Sequence, residues 1–207
     1  MAGAEAPVVV KIGGSFACSG YLRDWIEALA ACAGRVVIVP GGGPFADAVR
    51  SAQAKMGFDD GAAHHMALLA MEQYGRALAS FNRLLSPADC ADAIHRDLAA
   101  GRVPVWMPAR MVLGAPDIAP TWDVTSDSLA AWLAGKIGAG RLLLVKHAEI
   151  RAGRARSEEL AAMGIVDKEF AGHLRSLAID TVMFGPSDYD AAIGAIRDGA
   201  NTGIAVE

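Results

Sequence analysis

Lys11, Gly13, Gly14 and Ser15 close an apolar run, VVVKIGGS, and a second run, VVIVPGGGP, ends on Gly41, Gly42 and Gly43. Glycine has no Cβ, so its backbone N–H can come close to an anion, and a helix starting there adds its positive end. Two such turns within the first 43 residues suggest a polyanion site, most simply a chain of phosphates, with the Lys11 charge in reach. A double glycine alone is equally a tight strand-to-helix turn. Three consecutive glycines weaken both helix and strand and so argue for close backbone approach.

Further along, Asp123, Thr125, Ser126 and Asp127 stand directly before the apolar run LAAWLAG. Capping by Thr125 or Ser126, with an acid in the first turn, accounts for one or two of the four. A carboxylate there is also able to orient lysines or hold Mg²⁺. Lys146 and His147 follow LLLV, at the end of a strand, where ligands sit in open α/β sheets; exposed polar residues are the competing account. Lys168 ends GIVDK and by itself reads as a solvated helix residue. His64 and His65 cannot share a metal from one regular helix, because adjacent positions point apart. His64 is either a cap-region histidine or a contact to a substrate phosphate. Patterns for a P-loop, a nucleophile elbow, HExxH or GxGxxG are missing from the sequence.

The elements that must position these residues alternate. Buried strands are predicted at 8–12, 36–39, 103–107, 142–145 and 181–184, with weaker ones at 111–113 and 202–206. Helices are predicted at 21–33, 45–55, 64–85, 87–100, 126–137, 168–177 and 190–198. Pro44 suits a first helical turn, and Ser86-Pro87 reads as a break followed by a helix start. A proline-rich loop covers 114–122 and a polar loop or short hairpin covers 148–157. Strands apolar on both faces and alternating with helices call for an α/β fold, with a mainly parallel central sheet covered on both sides.

A chain of 207 residues can bury a core of its own, so one domain on one sheet is expected. A net charge of -4 and the lack of a basic run argue against a nucleic-acid partner. Three cysteines, Cys18, Cys32 and Cys90, fit neither a zinc motif nor a disulfide framework and suggest a reducing compartment. MAGAEAP has no positive n-region, and no apolar run reaches the ~20 residues needed to cross a bilayer, so a cytoplasmic location without membrane contact is expected.

In this order, VVKIGGS, IVPGGGPFAD, WDVTSDSLAAWLA and GIVDK resemble the motifs of the amino acid kinase superfamily over nearly the whole chain. AAHHMALLAMEQYG and PTWDVTSDSLAAWLAG are most similar to its methanofuran-pathway branch, whose members phosphorylate an aminomethyl-furan-methanol phosphate to the diphosphate. The resemblance implies a three-layer αβα sandwich, with an acceptor-binding half at about 1–120 and a nucleotide-binding half at about 121–207. It also implies a cytoplasmic homo-oligomeric kinase, using ATP and Mg²⁺ on a small phosphorylated acceptor. By the same comparison Lys11 and Lys168 flank the moving phosphoryl group, and Asp127 holds both ammonium groups. Gly13, Gly14, Ser15, Lys146 and His147 serve the phosphates and nucleotide. Gly41, Gly42, Gly43, His64, Asp123 and Thr125 serve the acceptor, with Asp59 or Asp60 as further carboxylates for a cationic amine. The protein itself supplies no metal ligand that can be named. One departure stands out: VKHAEI occupies 145–150, where the family has a strand followed by TDVDG, so the nucleotide site is atypical. That departure sustains an alternative, a non-catalytic nucleotide- or anion-binding protein of storage or regulatory type on the same fold.

Overall fold

The computed structural model describes residues 6–147, 153–177, 179–200 and 202–207. The tip of the VKHAEI departure, 148–150, and the start of the following polar segment lie outside the described residues.

Strand β1 (Val8–Ile12) runs into a 3₁₀ turn (Gly14–Cys18) and helix α1 (Leu22–Ala30). Strand β2 (Val36–Pro40) leads into α2 (Gly43–Met56) and α3 (Asp60–Ala79). Then come β3 (Leu85–Ala88), α4 (Ala91–Ala99), β4 (Val103–Trp106) and the single turn α5 (Ala109–Val112). The chain continues as α6 (Ser126–Ile137), β5 (Arg141–Val145), β6 (Arg154–Ala155), α7 (Ser157–Ala162) and α8 (Phe170–Arg175). It closes with β7 (Asp180–Phe184), α9 (Tyr189–Asp198) and β8 (Ile204–Val206).

All eight strands form one sheet in the order β3-β4-β2-β1-β5-β7-β8-β6, parallel except where β8 runs against β7. The five adjacent central strands, β4, β2, β1, β5 and β7, are buried at every position or every position but one, as a sheet covered on both faces requires. Val9 of β1 packs on the side that carries α6, whereas Val8, Val10 and Ile12 pack with α1 and α9. The result is the expected three-layer sandwich, with α2 and α3 set against each other near the carboxyl ends of the central strands.

Two predicted elements come out differently. Residues 85–88 form a strand, not the start of a helix: β3 is the outermost strand, and an edge strand tolerates Pro87 because the missing N–H need not join a ladder. Residues 109–112 form a helical turn, not a strand, capped when the Ala109 N–H donates to the Glu72 carboxylate of α3. Helix α6 has the bounds the sequence suggested and is buried on nearly every side.

Candidate active site

The two glycine turns meet at the carboxyl ends of β1 and β2. These strands pair in parallel with Ile12 opposite Pro40, so the residues that follow must cross at the same height. They cross backbone on backbone. A Cβ on Gly14 would stand 2.3 Å from the Gly43 nitrogen, and one on Gly41 would stand 2.4 Å from the Gly14 nitrogen. Each loop thus needs glycine to make room for the other, so the close backbone approach that the three glycines implied is met in part by the neighbouring turn. Gly43 also has φ +54, a conformation that favours glycine, and it opens α2 with Pro44 in the first turn. The free N–H groups of that turn carry the positive end of a 14-residue helix.

Strand parity brings the charged groups together. Lys11 shares the face of Val9, the α6 side, and pairs in register with Leu144; Lys146 lies two residues beyond Leu144 and points the same way. Asp127, in the first turn of α6, meets both. Lys11 Nζ is 2.8 Å from Asp127 Oδ1, an ion pair poorly aligned for a hydrogen bond, and Lys146 Nζ donates to Oδ2 at 2.7 Å. All three side chains are largely withdrawn from water, at 5%, 6% and 12% exposure for Lys11, Asp127 and Lys146. Burial by itself would push the Asp127 carboxyl up; the two ammonium groups outweigh it and hold the carboxyl below its usual range. Burial, joined by repulsion from Lys11, brings the Lys146 ammonium down to about 8 against the pull of Asp127. Two cations on one anion leave a net positive charge, at a site where each buried ion costs several kcal/mol unless it is paired.

This geometry corrects the expected trio. Lys168 does not reach Asp127. Its side chain is 76% exposed and its Nζ lies 2.7 Å from Asp123 Oδ1, so both residues are engaged with each other. Spacing could not separate Lys146 from Lys168 as partners of the acid; the parity of two adjacent parallel strands does. Thr125 has the extended backbone of an N-cap, yet its side chain makes no cap bond to its own helix. That service comes from Asp167, whose carboxylate accepts from the Thr125 and Ser128 N–H groups. His147 is exposed and packs edge-on to Phe16 at 5.3 Å.

Next to these groups lies a cavity of ≈ 300 Å³, a size suited to a small molecule. Gly14, Ser15, Gly42 and Gly43 line one part; Thr125 and Ser126, the residue before Asp127, line another; Leu68, Met71 and Leu129 give it an apolar wall. It draws on residues from both sides of position 120. His64 lines it too, buried, while His65 faces water. Burial lowers the His64 pKa against a backbone hydrogen bond at Thr121, so the ring is neutral at pH 7 and acts as a hydrogen-bonding group, not a cation. Asp123 pairs with Lys168, Asp59 caps α3 through the Ala62 N–H, and Asp60 accepts from Gln53, so each of the three has a partner of its own.

Sequence reasoning missed Asp47, Arg50 and the part played by Trp122. All three line the cavity. Arg50 stacks 4.4 Å over the Trp122 ring and donates to Asp47 at 3.1 Å, and the Trp122 indole N–H donates to Gln53 at 2.7 Å. A signal was present: Gly43, Asp47 and Arg50 follow the i, i+4, i+7 pattern of one helix face.

Comparison with known proteins agrees with this architecture. The profile described as the amino acid kinase family matches residues 6–149. A protein of Methanocaldococcus jannaschii named [5-(aminomethyl)furan-3-yl]methyl phosphate kinase is 27% identical over 143 residues, covering 67% of this chain and 62% of the relative's length. The uridylate kinase of Archaeoglobus fulgidus superposes with TM-score 0.75 at 18% identity, covering 97% of this chain and 100% of that one. The UMP kinase of Bacillus anthracis does so with TM-score 0.72 at 14% identity, covering 98% and 96%.

Proposed function

Starting from a chain that belongs to the amino acid kinase family, we propose a kinase that transfers a phosphoryl group from ATP to a small phosphate monoester held in the cavity beside the glycine turns. The observation that carries this reading is Asp127 shared by Lys11 and Lys146, with Lys11 two residues before the first glycine turn and Ser126, beside Asp127, lining the same cavity as both turns. Phosphoryl transfer asks a protein for positioning and charge neutralisation more than for covalent chemistry. A carboxylate paired with two ammonium groups holds both near it and leaves surplus positive charge where phosphate oxygens would gather.

Lys11 and Lys146 would neutralise the transferring group, and Asp127 would hold them in place. The amides of Gly13, Gly14 and Ser15 would receive phosphate oxygens, with His147 beside the nucleotide. The amides of Gly42 and Gly43 would orient the acceptor's phosphate, with Gly41 shaping the turn and neutral His64 and Thr125 along the wall. Among the described residues no group of three or more His, Cys, Asp or Glu side chains could hold a metal ion. The cationic pair and amide-rich turns fit a polyphosphate, and Mg²⁺ arriving with ATP would supply further neutralisation of phosphate charge. A phosphate monoester is already nucleophilic at neutral pH, so no general base is needed. Lys168 sits on the 164–168 loop at the border of this region, where release from Asp123 would let it turn toward phosphate.

The relative's printed name supports an aminomethyl-furan-methanol phosphate as the acceptor, within methanofuran-type C1-carrier biosynthesis. The mixed wall, Trp122 and apolar side chains on one hand and helix-end amides on the other, suits a flat phosphorylated ring. A homo-oligomer is also proposed, with Met66 and Leu69 exposed on α3 as candidate contacts. Among the described residues no helix is long and apolar enough to cross a membrane, and a cytoplasmic location is proposed.

The test is ADP release with Mg-ATP over a panel of small phosphate monoesters that includes the aminomethylfuran ester. Turnover with diphosphate product on one of them is expected. Tight ATP binding without turnover on any acceptor would instead identify a nucleotide-binding protein of storage or regulatory type.

A further inference from the structure

We propose that Asp167 is a positioning residue for the phosphoryl-transfer site: from the 164–168 loop it fastens the first turn of α6 and so sets where Asp127 stands between Lys11 and Lys146. The inference rests on the kinase reading for its consequence in turnover and on geometry alone for its substance.

Asp167 lies about forty residues beyond the helix start it caps, 42 from Thr125 and 39 from Ser128. Its Oδ2 accepts from the Thr125 N–H at 2.9 Å, the Thr125 hydroxyl at 2.8 Å and the Ser128 N–H at 3.0 Å, and its Oδ1 accepts from the Ser128 hydroxyl. The carboxylate thus accepts four bonds, three of them on Oδ2 and one on Oδ1. Ordinary capping needs one bond from a neighbouring side chain to an N–H in the first turn. Four bonds that grip the residues on either side of the 126–127 pair do more: they fix the rotation of the turn that carries Asp127. The negative charge also suits the positive end of α6. A second fastening follows directly, since Lys168 pairs with Asp123 at 2.7 Å and the Glu169 N–H donates to the Asp123 carbonyl at 3.3 Å. The loop therefore holds the segment before α6 as well as its first turn.

If Asp167 aims Asp127, loosening it must be felt at Lys146. Among the described residues, the charged groups that face Lys146 are Lys11 from β1 and Asp127 from α6, and of these two Asp127 favours its ammonium form. A shift of Asp127 away from Lys146 leaves burial and Lys11 unopposed, so the lysine releases its proton at lower pH.

The experiment titrates the full chain labelled with ¹³C at lysine Cε, with Lys146→Arg identifying the Lys146 signal. Asp167→Asn is compared with Ser128→Ala, the milder loss from the other side of the same bonds. The expected result for Asp167→Asn is a Lys146 midpoint lower by about half a pH unit or more, a roughly threefold change in proton affinity, with a smaller shift in the same direction for Ser128→Ala. In turnover, kcat should fall roughly tenfold while the acceptor KM stays within about twofold, the pattern of an interaction that acts on the transition state. An unmoved Lys146 midpoint in folded Asp167→Asn, or in Ser128→Ala should the first variant not fold, overturns the proposal. Absence of kinase activity in the parent protein would remove the function proposed above, while the titration would still decide whether Asp167 positions the acid.

Discussion

Lys146 and Asp127 lie nineteen residues apart in the chain, one just past β5 and the other in the first turn of α6, and are joined at 2.7 Å away from water. This contact, not one from Lys168, completes the pair of cations around the acid. It supplies the sharpest prediction. Lys11→Ala, Asp127→Asn and Lys146→Ala should each lower kcat by about a hundredfold or more, the scale of losing one preorganised electrostatic group. Lys168→Ala should cost clearly less. Steady-state kinetics on the four variants decides; near-normal turnover in Lys146→Ala, with collapse in Lys168→Ala, would restore the arrangement read from the sequence.

Turnover should fall as pH rises through about 8. Below that point Lys146 carries its charge, and above it the ammonium is lost, because burial and Lys11 have brought its pKa down. The pH dependence of kcat/KM in the parent and in Lys146→Arg checks this. Whatever activity the arginine variant keeps should no longer decline in that range, since guanidinium stays protonated.

The glycine contact predicts a stability loss independent of any ligand. Gly14→Ala places a Cβ 2.3 Å from the Gly43 backbone, which cannot yield as a flexible side chain would. Urea unfolding should show a loss of about 2 kcal/mol or more, typical of overpacking against rigid surroundings. Gly20→Ala, with nothing within 4 Å of the added atom, is the control and should change little.

Trp122 should govern the acceptor and not the nucleotide. Trp122→Leu removes the ring that Arg50 covers and leaves Gln53 without its indole partner. The acceptor KM should rise about tenfold or more, as for loss of a stacked aromatic and a part-buried hydrogen bond, with the ATP KM little changed. A rise confined to the ATP KM would move the acceptor out of this cavity.

Tyr74 is buried with a hydroxyl that has no hydrogen-bond partner among the described residues, and burial pushes its pKa well up. An unsatisfied buried polar group costs about 1–3 kcal/mol, so Tyr74→Phe should leave the protein equally stable or raise its denaturation midpoint. A clear loss of stability would reveal a partner such as a bound water.

By itself the chain's order of residues determined the strand-turn-helix units. Short β-branched runs ending in glycine read as buried strands entering tight turns, and the 126–137 helix showed both its polar start and its glycine stop, because these signals are local. The alternation of such units was enough to imply a parallel sheet in three layers, and the ordered motifs were enough to point to the family. What remained hidden depended on contacts between distant positions. Pro87 could open a helix or sit in an outer strand, and only the place of β3 at the sheet edge chose between them. The glycines looked like a cradle for a ligand, and only the crossing of the two turns showed that they first make room for each other. The family resemblance gave Lys168 to Asp127, and no local signal pointed to Lys146 in its place. The register that sets Lys11 beside Leu144 turns Lys146 toward α6, while the bonds from Asp167 and Asp123 hold the Lys168 loop at that helix's mouth. A side chain's direction in a sheet follows from its parity, but its partner follows from which strand lies alongside, and that is settled only when the whole sheet closes.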